Sequence, residues 1–273
     1  MELTKNHINM DSIYLALSKK LLDAPRVGDT RELNNVSFTL SNINNNIVGI
    51  RDISLSYLCG ELVWYFSGRH DTEFIAAFSK FWNKITDDGE TANSAYGYLM
   101  KKGFDFDQIE KVIELLEKDP NSRRAKINLN TPNEKVIETK DEPCTMFLQF
   151  LIRDGKLDCT AVMRSNDIWF GLPYDVAFFT ELQKYIAHRL NLQYGTYTHF
   201  AVSLHMYDRN REDIERIVRN PVPKLIKINN EPLIENAKYF AYVIEEDYLN
   251  KGIDPKRKIV DLFRGYEILR EGE

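Results

Sequence analysis

Between residues 125 and 207 the chain sets strand-like segments around one long apolar helix, and this order leaves few folds open. AKINLN (125–130), MFLQFLIR (146–153), KLDCTAVMR (156–164) and TYTHFAVSLHMY (196–207) alternate in polarity or carry β-branched residues, as strands do. RDGK (153–156) holds the Asp-Gly pair of a tight hairpin turn. VAFFTELQKYIAHRLNL (176–192) is almost wholly apolar on one face at helical spacing. The mixture predicts an α/β (α+β) fold with one central mixed or antiparallel sheet flanked by helices.

The flanking regions fit the same plan. SIYLALSKKLLDA (12–24) has helical spacing and RELNNVSFTL (31–40) turns toward strand. ISLSYLCGELVWYF (53–66) reads as a buried helix in which Gly60 allows a close approach. TEFIAAFSKFW (72–82) reads as one helix, FDQIEKVIELLEKDP (106–120) as an amphipathic helix stopped by Pro120, and residues 211–219 as a solvated helix. Without repeats, low-complexity segments or a linker, residues 1–273 are expected to form a single domain.

A net charge of −5 gives no whole-protein argument for binding nucleic acid or an anionic membrane, so an anionic ligand needs local Arg or Lys. The three cysteines, Cys59, Cys144 and Cys159, lack the count and spacing of a disulfide framework or a structural zinc site. No metal is expected. MELTKNHINMDS is too polar for a signal peptide and no apolar run is long enough to span a bilayer, so the expected setting is cytoplasmic, without a membrane partner.

Several residues have two readings. Cys144, between a proline and a strand, is either a small buried hydrophobe or a nucleophile, and a nucleophile needs cations nearby to favour the thiolate. Arg164 and the doublet Arg123–Arg124 are candidates, although adjacent arginines are also ordinary surface charge. No P-loop is present to hold phosphate. Glu61 interrupts an apolar run, so it faces water at a helix edge or acts as an acid–base group with a raised pKa. His205 and Tyr207 alternate with Leu204 and Met206, so the first pair shares a strand face, either for packing or to hold one hydroxyl. Asp175 in GLPYDVAFF stands where a helix begins, the usual place of an N-cap.

Taken together, these pieces resemble the thymidylate synthase family over most of the chain. PCTMFLQF resembles the family's nucleophile-cysteine strand, MRSND its RS-x-D signature, and GLPYD its G-L-P-[FY]-N segment. ELVWYFSG is similar to E-L-x-W-x-x-x-G, NSAYGYLM to the Y-G segment, SRR to the arginine doublet and SLHMY to H-x-Y. The resemblance implies a homodimer formed through the sheet, with a pyrimidine nucleoside monophosphate and 5,10-methylenetetrahydrofolate meeting in one pocket. It implies that Cys144 attacks C6 of the pyrimidine and that Glu61 manages protons and ordered water. Arg26, Arg164 and Ser165 would hold the phosphate with Arg123 and Arg124 of the other subunit. His205 and Tyr207 would bind the sugar 3′-hydroxyl. Asp167 would hold the pterin, Trp82 would wall its site, and Tyr96 and Asn166 would line the pocket.

Two departures narrow the resemblance. Thymidylate synthases of the family have Asn where this chain has Asp175, and usually His where it has Thr145. The deoxycytidylate hydroxymethylase branch is similar to this chain at both places. The end, FRGYEILREGE, resembles the family's F-x-G-Y segment followed by a shorter, charged tail. An Asn can donate to uracil O4 while accepting from N3–H. A carboxylate can only accept, whereas a carboxylic acid can accept from the cytosine 4-amino group and donate to N3, and a carboxylate can serve cytosine if N3 carries the proton. The expected activity is conversion of dCMP to 5-hydroxymethyl-dCMP. CMP hydroxymethylation, dUMP hydroxymethylation or methylation, and a non-catalytic nucleotide- or RNA-binding regulator are the alternatives.

Overall fold

The computed structural model describes residues 2–7, 9–130, 139–226, 231–263 and 268–270. The charged tail singled out in the sequence therefore lies largely outside the described residues. The first elements are strand β1 (Glu2–His7), helix α1 (Met10–Leu22) and strands β2 (Arg26–Val27) and β3 (Thr30–Leu40). Helices α2 (Leu55–Ser67), α3 (Thr72–Ala76), α4 (Trp82–Ile85), α5 (Tyr96–Lys101) and α6 (Gln108–Lys118) follow. Next come β4 (Lys126–Asn128), β5 (Thr145–Arg153), β6 (Lys156–Asp167), α7 (Leu172–Arg189) and β7 (Gln193–Tyr207). The chain continues through α8 (Arg211–Arg219), β8 (Lys224–Ile226), α9 (Glu231–Asp247), α10 (Lys256–Leu262) and β9 (Ile268–Arg270).

The main sheet runs β1-β3-β7-β6-β5-β4, with β2 on β3, and β8 pairs separately with β9. It is mixed, because β1 is parallel to β3 and β6 to β7 while the other main-sheet pairs are antiparallel. The β5–β6 hairpin turns on Asp154 and Gly155, both left-handed at φ 50° and 72°, the conformation that an Asp-Gly turn supplies. The parallel β6–β7 pair needs a crossover, and α7 provides it. This helix is buried nearly all round, which explains its apolar sequence. Its buried Glu181 accepts from Lys184 Nζ (2.7 Å) and Asn46 Nδ2 (2.8 Å), so the charge inside the helix is paired.

On the sheet face away from the core, Phe147 of β5 pairs with Val162 of β6, and Val162 with Phe200 of β7. A second row runs Gln149, Thr160, Thr198, Thr39, with the two threonine hydroxyls of β7 and β3 3.1 Å apart. These side chains are half-buried or exposed. Farther along β6 and β7 the burial alternation slips, so that Met163 and Ala201 are buried but so are Asn166 and Leu204. Asn35 of β3, at φ 54°, lies between the residues paired with Ser203 and Ala201 at this slip. No described helix is long and apolar enough to cross a membrane.

Two local expectations are corrected. Residues 72–82 are not one helix: α3 ends at Ala76, and α4 begins only at Trp82 after a turn. Aromatic packing accounts for the break: Phe78 lies against α2 at Gly60, where a Cβ would come within 2.6 Å of its ring, while Trp82 meets Trp64 at 5.0 Å between ring centroids. Helix α7 starts at Leu172, so Asp175 lies inside its first turn and is not the N-cap. Pro173, preset for a helical first turn, allows this earlier start, and the Asp175 N–H donates to Gly171 O at 3.0 Å.

Helices α2 and α5 meet at Gly97, where a Cβ would collide with the Tyr65 carbonyl oxygen. Gly97→Ala is therefore expected to destabilise by about 1–3 kcal/mol or more through overpacking. A melting temperature equal to that of the wild type would show that the helices separate freely there.

Candidate active site

The C-terminal ends of β6 and β7, the N-terminal turn of α7, the loop before β5, and helices α2, α4 and α5 enclose a cavity of about 900 Å³. Cys144, Glu61, Asp175, Arg164, Ser165, Asn166, Asp167, His205, Tyr207, Tyr96 and Trp82 all line it, although they come from segments far apart in the chain. Arg26, Arg123 and Arg124 do not line it. Arg26 pairs with Asp208 at 2.8 Å, and Arg123 and Arg124 are exposed before β4.

Cys144 is half-buried at the entry to β5. Arg164 holds its loop: Nε donates to Pro143 O (3.1 Å), Nη2 to Glu142 O (3.0 Å), and the Arg164 backbone N–H to Cys144 O (2.9 Å). Desolvation pushes the thiol up to about 11 against the opposing pull of the Arg164 charge. The other two cysteines are buried in the core.

Glu61 is buried on α2, which excludes the solvent-facing reading. Trp82 Nε1 donates to Tyr57 Oη (3.2 Å), and Tyr57 in turn donates to Glu61 Oε1 (2.6 Å). Tyr65 donates to the same oxygen at 3.5 Å. Desolvation lifts Glu61 to about 8; the Tyr57 hydrogen bond opposes the rise and the nearby Asp175 adds to it.

Asp175 keeps a window onto the cavity, yet desolvation raises its carboxyl to about 7, with the Asn166 hydrogen bond opposing and the Asp167 charge assisting. Asn166 Nδ2 donates to Asp175 Oδ2 at 2.8 Å. Asp167 accepts from Trp169 N–H (2.8 Å) and is also raised by burial, while burial lowers His205 beside it. His205 and Tyr207 meet edge to face at 5.3 Å, with Leu204 and Met206 buried on the opposite side.

Sequence reasoning missed several cavity residues. Arg51 is buried with its guanidinium 4.2 Å from the Trp169 ring centre, and its Nε and Nη1 have no hydrogen-bond partner among the described residues. Phe81 and Phe170 stack at 6.4 Å at the rim and are each about half exposed. Tyr57 and Tyr174 meet edge to face at 4.9 Å. His199 of β7 lies behind the wall, 3.1 Å from Asn166 Oδ1. An aromatic-rich stretch is the only sequence signal for most of these, and it reads equally well as core. Thr145 is fully buried and is not among the residues that line the cavity.

A half-buried thiol, carboxyls raised by burial and several hydrogen-bond donors thus face one cavity, a grouping typical of functional sites. The family model described as thymidylate synthase matches residues 27–256, and the chain belongs to that family. It is similar to a protein named deoxyuridylate hydroxymethyltransferase from Pseudomonas phage M6, with 29% identity over 211 residues. The match covers 76% of this chain and 58% of the relative, so the chain spans a little over half the length of that protein.

Because Glu61 and Asp175 titrate above the ordinary carboxyl range near 4, the native state holds protons that the unfolded chain has lost. Their contribution is fully present below about pH 4 and is lost as the pH rises through about 7 to 8. The double variant Glu61→Gln with Asp175→Asn should therefore gain urea midpoint relative to the wild type as the pH rises across that window. A difference independent of pH would contradict the raised values.

Proposed function

We propose that this chain is a folate-dependent hydroxymethyltransferase that converts dCMP to 5-hydroxymethyl-dCMP through a covalent bond from Cys144. The observation that carries the cytosine assignment is the Asp175 carboxyl at the cavity wall, one oxygen of which accepts from the Asn166 amide at 2.8 Å. As an acid it meets the donor–acceptor edge of cytosine; as a carboxylate it opposes uracil O4. The relative's name supports hydroxymethyl transfer. The same name favours uracil, so dUMP is the second reading.

Arg164 and Ser165 take the phosphate and His205 and Tyr207 the sugar hydroxyl, which leaves the base between Cys144 and Asp175. Cys144 gives up its thiol proton to water in the cavity as its sulfur bonds to C6, and the electron pair arriving at C5 makes that carbon the nucleophile. 5,10-Methylenetetrahydrofolate supplies the one-carbon unit. Asp167 and Trp82 receive its ring system, and the unpaired Arg51 nitrogens fit an anionic group on it. Once C5 has bonded to that carbon and lost its proton, and the carbon's bond to the folate nitrogen has broken, Glu61, held by Tyr57 and Tyr65, would orient the water that adds to the freed carbon. The C6–S bond then breaks, and the nucleotide has gained CH2O while the folate leaves as unoxidised tetrahydrofolate.

Two copies associate through the sheet face that carries Phe147, Val162 and Phe200, and each supplies Arg123 and Arg124 to the other's phosphate site. The apolar row on that face and the exposure of both arginines, away from the chain's own cavity, support this arrangement.

Incubation with dCMP, CMP or dUMP plus 5,10-methylenetetrahydrofolate, followed by mass measurement, is expected to show one added CH2O on dCMP and no dihydrofolate absorbance. Dihydrofolate rising with nucleotide consumption would identify a methylating enzyme and refute the reading. Asp175→Asn should shift preference toward dUMP, and Cys144→Ala should abolish tritium release from C5. Separately, mixing inactive Cys144→Ala and Arg124→Ala chains should restore activity by forming one intact site per hybrid dimer, whereas no recovery would argue against a shared site.

A further inference from the structure

A carboxylic acid does not by itself distinguish cytosine from uracil. With its proton on the oxygen facing N3, it donates to N3 of cytosine and accepts from the 4-amino group. With the proton on the other oxygen, it donates to O4 of uracil and accepts from N3–H. An acid free to move its proton serves both bases. Discrimination requires something that holds one oxygen as an acceptor.

Behind Asp175 the structure contains such a device. Tyr197 Oη lies 2.8 Å from His199 Nδ1, His199 Nε2 lies 3.1 Å from Asn166 Oδ1, and Asn166 Nδ2 lies 2.8 Å from Asp175 Oδ2. Tyr197, His199 and Asn166 are all buried. The tyrosine sets the direction of the chain. His199 is the hydrogen-bond partner of its hydroxyl among the described residues, so only donation to Nδ1 spares that buried O–H from being orphaned. Nε2 then carries the imidazole proton and donates to Asn166 Oδ1, which turns the amide N–H toward Asp175. Every donor points the same way and the chain ends on Oδ2. The opposite direction would require a proton on Oδ2 and would leave the phenol hydrogen without an acceptor. Asp175 Oδ1 makes no hydrogen bond among the described residues and is free for the base. The imidazole is also fixed in place, stacked on Phe38 at 5.0 Å and 11°.

We infer that His199 and Tyr197, acting through Asn166, are positioning residues that keep Asp175 Oδ2 an acceptor, confine the acid proton to Oδ1 and so set which base the site accepts. The inference rests on the cytosine reading proposed above, under which Oδ1 meets N3 and Oδ2 receives the 4-amino group. Burial supports it by lowering the His199 pKa to about 3, so the imidazole stays neutral and keeps Nδ1 as an acceptor across the working pH range.

The test is equilibrium binding of dCMP and of dUMP, by calorimetry, to the full chain and to three variants. His199→Phe keeps a flat ring against Phe38 but neither accepts nor donates. His199→Gln restores a donor toward Asn166 and an acceptor for Tyr197. Tyr197→Phe removes the group that sets the direction. His199→Phe and Tyr197→Phe should each shrink the ratio of the two dissociation constants by roughly tenfold, the scale of one lost buried hydrogen bond, while His199→Gln should restore most of it. A merely structural role would weaken both nucleotides together and leave the ratio in place, which overturns the inference. Loss of the ratio in His199→Gln as large as in His199→Phe also overturns it. If His199→Phe does not fold, Tyr197→Phe decides by the same criterion. A wild type that prefers dUMP refutes the cytosine reading alone, and the inference then stands if the variants erase that preference. A wild type with no preference refutes both.

Discussion

The parallel pairing of β6 with β7 is the constraint on which the rest of the site depends. Its register sets Ser165 beside Ser203 and Asp167 beside His205, so two motifs almost forty residues apart in the chain end at the same edge of the sheet. Parallel neighbours cannot be joined by a tight turn, and the crossover between them must be long. Helix α7 fills that role and begins within five residues of the end of β6, which puts Asp175 one turn above the strand ends. The cavity is thus a product of connectivity, with Asp167 and Asp175 at the point where the chain leaves the sheet.

Enclosing Glu61, Asp167 and Asp175 around one cavity costs stability, because water would solvate each carboxylate better than the protein does. The surroundings offset only part of that cost. Phenols and amides reach Glu61 and Asp175, but no cation pairs with either among the hydrogen bonds they make. This contrasts with Glu181 in the middle of α7, where Lys184 neutralises the charge and the pair acts as a structural tie. The contrast separates carboxyls arranged for packing from carboxyls left able to change protonation.

Much of this was legible in the sequence, and the reasons for what was not are physical. The strands, the Asp-Gly hairpin and the mixed sheet follow from period-two patterning and turn chemistry, which are local. The break within residues 72–82 is not local: it arises because Phe78 and Trp82 pack against α2, so helical spacing alone reads through it. The start of α7 was displaced for a similar reason, since Asp resembles a cap until Pro173 is seen to extend the helix backward. Most residues expected at the site do face one cavity, because spaced motifs carry that information. Arg51 and His199 escaped notice because an isolated Arg before an apolar run and a His within a strand carry no motif. Thr145 shows the limit from the other side, since its position next to Cys144 did not reveal that it is fully buried.

Cys144 differs from Cys59 and Cys159 in being the cysteine that reaches the cavity, and its thiol is held near 11. At neutral pH such a sulfur is almost entirely in the S–H form, and oxidants and electrophiles attack the thiolate. A sulfur held in that form reacts more slowly with oxidants than a permanently ionised thiolate would. The same burial makes alkylation at this position a slow, strongly pH-dependent event confined to the cavity, so a small thiol reagent would label the protein at one reachable sulfur while the two core cysteines stay shielded.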